Sequence, residues 1–196
     1  MPAHSVTTVD WSAASIEELI AHITQVHHRN SRTWLSEACS LLDQHLSTMT
    51  TPHLADMRWK LDLFSADMRM HLDQEESVLF PACIALDKET QTRAHTVDDA
   101  SIIRDIHGMS DGHASARARL AELISLSWAR GNGSQAAIGA VPDLLEKLAV
   151  DLVEHERLEE EILLPAVLFQ LDLSRSMHTS GPFNYTEVEP VTGEDG

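Results

Sequence analysis

Apolar positions recur at steps of three and four along most of the chain, and β-branched runs are almost absent. Ile16, Leu19, Ile20, Ile23, Trp34, Leu35, Ala38, Leu41, Leu42 and Leu46 keep this rhythm and predict an amphipathic helix from about 15 to 47. Thr51-Pro52 reads as an N-cap followed by a proline in the first turn, where its missing N–H is no loss. Met57, Leu61, Phe64, Met68, His71, Glu75, Val78 and Ala82 then form one seam, a second helix with two polar residues set among apolar ones. The wholly polar stretch 87–93 predicts a connection, and Asp98-Asp99 leads into a third helix. Its stripe is Ile102, Ile106, Met109, His113, Leu120, Leu123 and Ile124, and Gly131-Asn132-Gly133-Ser134 stops it. Pro142 opens a fourth helix whose seam is Val141, Leu145, Leu148, Leu152, His155, Glu159, Ile162, Ala166 and Phe169.

Four amphipathic helices joined by short loops bury their stripes by packing on one another. The expected fold is all-α, an antiparallel up-down-up-down four-helix bundle over residues 15–172. Residues 1–14 form an N-terminal extension and 173–196 an acidic tail with little to bury. The halves match: His71 and His155 lie 84 residues apart (155 − 71), His28 and His113 lie 85 apart (113 − 28). Duplication of a helical hairpin is the simplest origin.

Charge narrows the partners. A formal net charge of −17 without a basic cluster argues against nucleic acid and anionic membranes, and leaves cations. No stretch of eighteen apolar residues and no signal-like N-terminus is present, which predicts a soluble, cytoplasmic protein. Cys39 and Cys83 form no CxxC pair, so neither a disulfide framework nor a zinc–thiolate site is indicated.

The chemistry sits in the two seams. His71-xxx-Glu75 and His155-xxx-Glu159 each place an imidazole and a carboxylate one helical turn apart, and each is followed by Glu and an apolar-Leu-apolar-Pro run. Surrounded by Leu, Met, Ile and Phe, such groups are expensive to desolvate unless a cation binds them. A matched pair of these faces is what a dinuclear metal site requires. Carboxylate oxygen and imidazole nitrogen without thiolate suit iron or manganese better than copper(I) or structural zinc. Asp67 and Asp151, one turn before each histidine, are positioned either to accept the second ring N–H and fix its tautomer or to face solvent. In the third helix His113 lies on the stripe and His107 on its flank. In the first, His27 continues Ile16, Ile20 and Ile23, whereas His28 continues Leu35, Cys39, Leu42 and Leu46. Hairpin spacings of 43 (71 − 28) and 42 (155 − 113) lean to His28 and leave His27 open. His22, His45, His53, His95 and His178 lack a seam partner and are expected at the surface.

Taken together, His28-xxx-Arg32-xx-Leu35, His71-xxx-Glu75-Glu76-xx-Leu79-Phe80-Pro81, Met109-xxx-His113 and His155-xxx-Glu159-xxxx-Leu164-Pro165 resemble the hemerythrin-like HHE cation-binding family over about 15–170. They look most like its branch called Repair of Iron Centres, although the small N-terminal domain with paired cysteines found in that branch is lacking. The resemblance implies a non-haem centre of two irons, oxo- or hydroxo-bridged, with iron ahead of manganese. His28, His71, His113 and His155 would be terminal ligands and Glu75 and Glu159 bridges; the Arg four residues after His28 and the Leu seven after it select His28 over His27. Oxygen carriers of the family add a fifth histidine four residues after the third-helix ligand, where this chain has Arg117, and use HxxxxD in the last helix, where it has HxxxE. That leaves open metal positions and implies reaction with, or binding of, nitric oxide, dioxygen or peroxide. The enzymatic form would be a di-iron oxidoreductase drawing on an electron donor, in iron–sulfur cluster repair or a nitrosative or oxidative stress response. The other class is a gas sensor or carrier, or a module holding labile iron.

Overall fold

The computed structural model describes residues 10–48, 51–92, 99–128 and 139–179, without the side chains of 89–92, 99, 105, 107, 110, 111 and 174–179. The described residues are helical with no strand. The four helices are α1 (residues 16–48), α2 (residues 52–92), α3 (Asp99–Trp128) and α4 (residues 141–179). Local signals start them. Ser15 and Glu18 make a reciprocal capping box at α1, with the Glu18 amide donating to Ser15 Oγ and the Ser15 amide to Glu18 Oε2. Thr51 Oγ1 accepts from the Leu54 amide ahead of Pro52, as the sequence predicts. Gly139, at φ 52°, turns the chain into α4.

Each helix packs on its sequence neighbour, and α1 closes against α4. The start of α1 lies beside the end of α2, so these two run antiparallel. The core is in two parts. One holds Leu42, Leu54, Met57, Leu61, Phe64, Leu72, Leu120, Leu145 and Leu148. The other holds Ile20, Ile23, Leu79, Phe80, Cys83, Leu86, Ile102, Ile106, Leu163 and Val167. Between them lies a layer of buried polar groups: His27, His28, Glu75, His113, His155, Glu156 and Glu159.

Three helices change geometry at that layer. Ile23–His28 in α1, Glu75–Leu79 in α2 and Leu158–Leu163 in α4 are π-turns. The Phe80 amide donates to the carbonyl of Glu75, and the Leu164 amide to that of Glu159, each five residues back. The extra residue in the turn brings two consecutive side chains inward. His27 and His28, Leu79 and Phe80, and Leu163 and Leu164 are all buried pairs. The expected seam is therefore displaced beyond each glutamate: Val78 and Phe169 are exposed, Ile162 is only half-buried, and Leu79, Leu163 and Val167 occupy the core.

Two boundaries also differ. The polar stretch after Asp87 continues α2 to Thr92, because an all-polar sequence of good helix formers can extend a helix past the point where it buries anything. The backbone of α4 likewise runs to Thr179, past the expected end near 172. Residues 1–9, Gly131–Ser134, His95 and the tail from 180 lie outside the described residues. No helix among the described residues is long and apolar enough to cross a membrane.

Candidate metal centre

The polar layer brings six side chains from four helices together: His28 from α1, His71 and Glu75 from α2, His113 from α3, and His155 and Glu159 from α4. They divide into two groups that share Glu75. His28, Glu75, His155 and Glu159 place one donor atom each within 4.8 Å of one another, and so do His71, Glu75 and His113. Glu159 faces both groups, with Oε1 3.0 Å from His155 Nε2 and Oε2 3.1 Å from His113 Nε2. Glu75 does the same, with Oε1 2.8 Å from His71 Nε2 and Oε2 3.4 Å from His28 Nε2.

His155 Nε2 and Glu159 Oε1 are hydrogen-bonded, but the other close approaches of the two glutamates are not hydrogen bonds. Glu75 Oε1 and Oε2, Glu159 Oε2 and His113 Nε2 are buried without a hydrogen-bond partner, because the ring N–H axes do not aim at the neighbouring oxygens. Leaving such atoms unsatisfied costs on the order of 1–3 kcal/mol each, and more where they are charged. His28 Nε2 lies 3.2 Å from His155 Nε2, a spacing of two basic nitrogens that a cation between donors relieves. The residues present therefore fit metal binding, in two groups that share Glu75.

What orients the rings is not what the sequence suggests. Asp67 is exposed and pairs with Arg119, away from His71. Asp151 Oδ2 lies 3.1 Å from His27 Nδ1 without a hydrogen bond to it, and Oδ1 accepts from the Asn30 side-chain amide at 3.3 Å, so the carboxylate sits beside His27 rather than His155. The π-turns reassign this role to the second glutamate of each doublet. Glu76 Oε1 lies 2.7 Å from His28 Nδ1, and Glu160 Oε1 2.9 Å from His113 Nδ1. Each outer carboxylate accepts the Nδ1–H and leaves the Nε2 lone pair pointing inward. Arg32 donates to the same Glu76 oxygen at 2.7 Å and fixes it. The signal was in the sequence: Glu75-Glu76 and Glu159-Glu160 repeat in both motifs. Neither doublet suggests two opposite directions while an ordinary α-turn is assumed.

Electrostatics follow the layout. Burial opposes charge on His113, but Glu159, Glu75 and Glu160 outweigh it and push the ring up to about 11. His155, opposed by burial and supported by Glu159, is also raised. His28 is lowered, by burial and by the His155 ring facing it. Glu75 and Glu159 are held below the usual carboxylate range despite burial, Glu75 by His113 and His71, Glu159 by His155 and His113. Charge on His113 and His155 and charge on the two carboxylates thus support each other, while charge on His28 is disfavoured.

The remaining histidines divide differently from expectation. His27 is buried beside the six, its ring parallel to that of His155 at 5.9 Å, and both its nitrogens lack hydrogen-bond partners. His22 stacks on Trp11 at 4.0 Å and is half-buried, as are His45 and His53. The side chains of His107 and His178 lie outside the described residues. Arg117, where a carrier would have its fifth histidine, pairs with the buried Glu156.

No curated protein matches the chain in sequence. The model of one family does, from residue 18 to residue 167, which includes all six side chains and most of the four helices that carry them. The chain belongs to the hemerythrin HHE cation-binding domain family.

Proposed function

We propose that this protein is a non-haem di-iron protein that reacts with or binds small molecules of the nitric oxide, dioxygen and peroxide class. The observation that carries the proposal is the pair of buried carboxylates, each facing two groups of histidines, with both oxygens of Glu75 and Oε2 of Glu159 unsatisfied. His28 and His155 would hold one ion and His71 and His113 the other, with Glu75 and Glu159 shared. Two ferrous ions at this spacing of donors supply redox electrons and open coordination positions for a diatomic ligand. The chain's own residues set the conditions. Glu76 and Glu160 keep the His28 and His113 rings in the tautomer that offers Nε2. Together with Glu75 and Glu159 they supply four negative charges against two divalent cations, with Glu76 shared with Arg32. The apolar layers on both sides keep bulk water from the donors.

Metal analysis of purified, iron-loaded protein tests the reading. Two irons per chain with the optical bands of a bridged ferric pair are expected, and Glu75→Ala should lose both. One iron per chain, or unchanged iron content in Glu75→Ala, overturns the shared-carboxylate assignment. Nitric oxide or peroxide consumed in excess of protein under reducing conditions supports an oxidoreductase with an external electron donor, and a place in stress response or iron–sulfur repair. Binding without consumption supports a gas sensor or carrier.

A further inference from the structure

The two metal positions are unequally exposed. His28 and His155 are 0% exposed, whereas the side chain of His71 is 20% exposed and faces a groove between α2 and α3. A cavity of about 140 Å³ opens there, lined by His71, Gln74, Glu75, Val78, Leu79, Gly108 and Met109. A second, of about 210 Å³, adjoins the other side of the same ring. A cavity of about 150 Å³ holds a molecule the size of benzene, so the first cavity admits a diatomic with room to spare and is too small for a drug-sized ligand. Glu75 is buried, its two oxygens are unsatisfied, and it lines this cavity.

Two glycines one turn apart on α3 shape the groove. A Cβ on Gly112 would stand 3.2 Å from His71 Nδ1 and 3.3 Å from Cε1, so this glycine makes room for the ring. A Cβ on Gly108 would meet nothing within 4 Å. Gly108 therefore touches nothing that requires it to be small, although glycine inside a helix is unfavourable by roughly 0.5–1 kcal/mol relative to alanine. What its missing side chain provides is open space against Val78, Leu79 and Met109, in front of a carboxylate with free lone pairs. A wall of valine, leucine and methionine with the uncharged Gln74, ahead of the carboxylate of Glu75, admits neutral molecules and repels anions.

Resting on the di-iron reading, we propose that this groove is the entrance through which an uncharged diatomic molecule reaches the centre, that it delivers the molecule to the position held by His71 and His113, and that the absence of a side chain at Gly108 keeps it open. Gly112 positions the His71 ring and is not part of the opening.

The variants Gly108→Leu and Gly108→Ala test this on the full chain. Both favour helix over glycine, so folding is retained. Gly108→Leu should bind as much iron as the parent and show the same optical spectrum, while binding of nitric oxide to the reduced protein, followed by stopped-flow absorbance, slows at least about tenfold. Gly108→Ala should stay within about twofold, because one methyl leaves most of the cavity free. An unchanged rate in an iron-replete Gly108→Leu protein overturns the proposal. A second readout needs no iron. In metal-free protein, dissolved dioxygen should broaden the Met109 methyl resonance more than that of Met57, which is 0% exposed in the other core, and Gly108→Leu should abolish the difference. Equal broadening of Met109 and Met57 in the parent also overturns it. Failure to bind iron in the parent would instead refute the di-iron reading and leave the methyl comparison to decide on the groove.

Discussion

Glu76 and Glu160 are the residues on which the geometry departs furthest from expectation, and removing them gives a quantitative test. Glu160→Ala takes away the acceptor 2.9 Å from His113 Nδ1, and Glu76→Ala the one 2.7 Å from His28 Nδ1. Loss of such an outer partner weakens metal affinity by about 10–100-fold, or roughly 1.4–2.8 kcal/mol. Position within that range follows from exposure. Glu160 is 38% exposed, so water can replace it and the loss should be near tenfold. Glu76 faces a fully buried His28 and is shared with Arg32, so its removal strands both and the loss should be nearer one hundredfold. Zinc, which is redox-silent, titrated against a chromophoric chelator at fixed pH measures the affinity, and nitrogen-15 shifts of the two rings report the tautomer. Asp67→Ala serves as control, because its carboxylate is occupied by Arg119 and its loss should change affinity by less than about twofold. Parental affinity in both glutamate variants, or an equal loss in Asp67→Ala, would refute the assignment of these roles.

Further outcomes follow from the same layout. His113, pushed up to about 11, holds a proton at neutral pH in the metal-free protein, and His155 is shifted in the same direction, so metal binding should release on the order of one proton per chain or more and tighten as pH rises, measurable with an indicator dye in weak buffer. For the metal-free fold the signs run the other way. The raised His113 stabilises fully below its ordinary 6.5 and loses this as pH climbs through about 11, while the lowered Glu75 and Glu159 stabilise above their ordinary 4.5 and lose this in acid. Metal-free melting temperature should therefore peak between pH 4.5 and 6.5, and the gap to metal-loaded protein should widen toward alkaline pH. Leu79→Ala should destabilise by about 2–5 kcal/mol in urea titrations, whereas Val78→Ala, at an exposed site one residue earlier, should stay within about 0.5 kcal/mol; equal values would contradict the π-turn at Glu75. Cys83 is fully buried and its thiol is pushed up to about 12 by that burial, so a thiol reagent should leave it unmodified until the protein unfolds.

Much of this was legible from periodicity. The stripes through Leu42, Leu61, Leu120 and Leu148 are regular α-helical repeats and sit in the core where the three- and four-residue steps place them. The clustering of His71, Glu75, His113, His155 and Glu159 was legible because His and Glu interrupt those stripes, and a polar residue in an apolar seam needs a partner inside. What escaped was everything downstream of a phase change. Counting by 3.6 assigns Val78, Ile162 and Phe169 to the interior, and it forces a choice between His27 and His28 although both are buried. An all-polar segment such as the end of α2 has no stripe to count, so its helix looked like a connection.

The phase change also explains why the doublets matter. In an α-turn each residue advances about 100° around the axis, so a donor aimed at the centre and its neighbour cannot both serve the site without a local change of twist. The π-turn inserts one residue where the carbonyls of Glu75 and Glu159 begin it, and the outcome differs on its two sides. Toward the N-terminus His71 and Glu75, or His155 and Glu159, keep their one-turn stacking. Toward the C-terminus the helix is rotated so that Leu79 and Phe80, or Leu163 and Leu164, both close the apolar layer beyond the centre. Within the turn Glu76 swings to α1 and Glu160 to α3. The irregular backbone sits at the glutamates in both halves of the chain. The demand that sets it is that one carboxylate of each doublet face the metals while the next holds a histidine on a different helix. Local cost at three π-turns is tolerated because the two apolar layers on either side hold the helices in place.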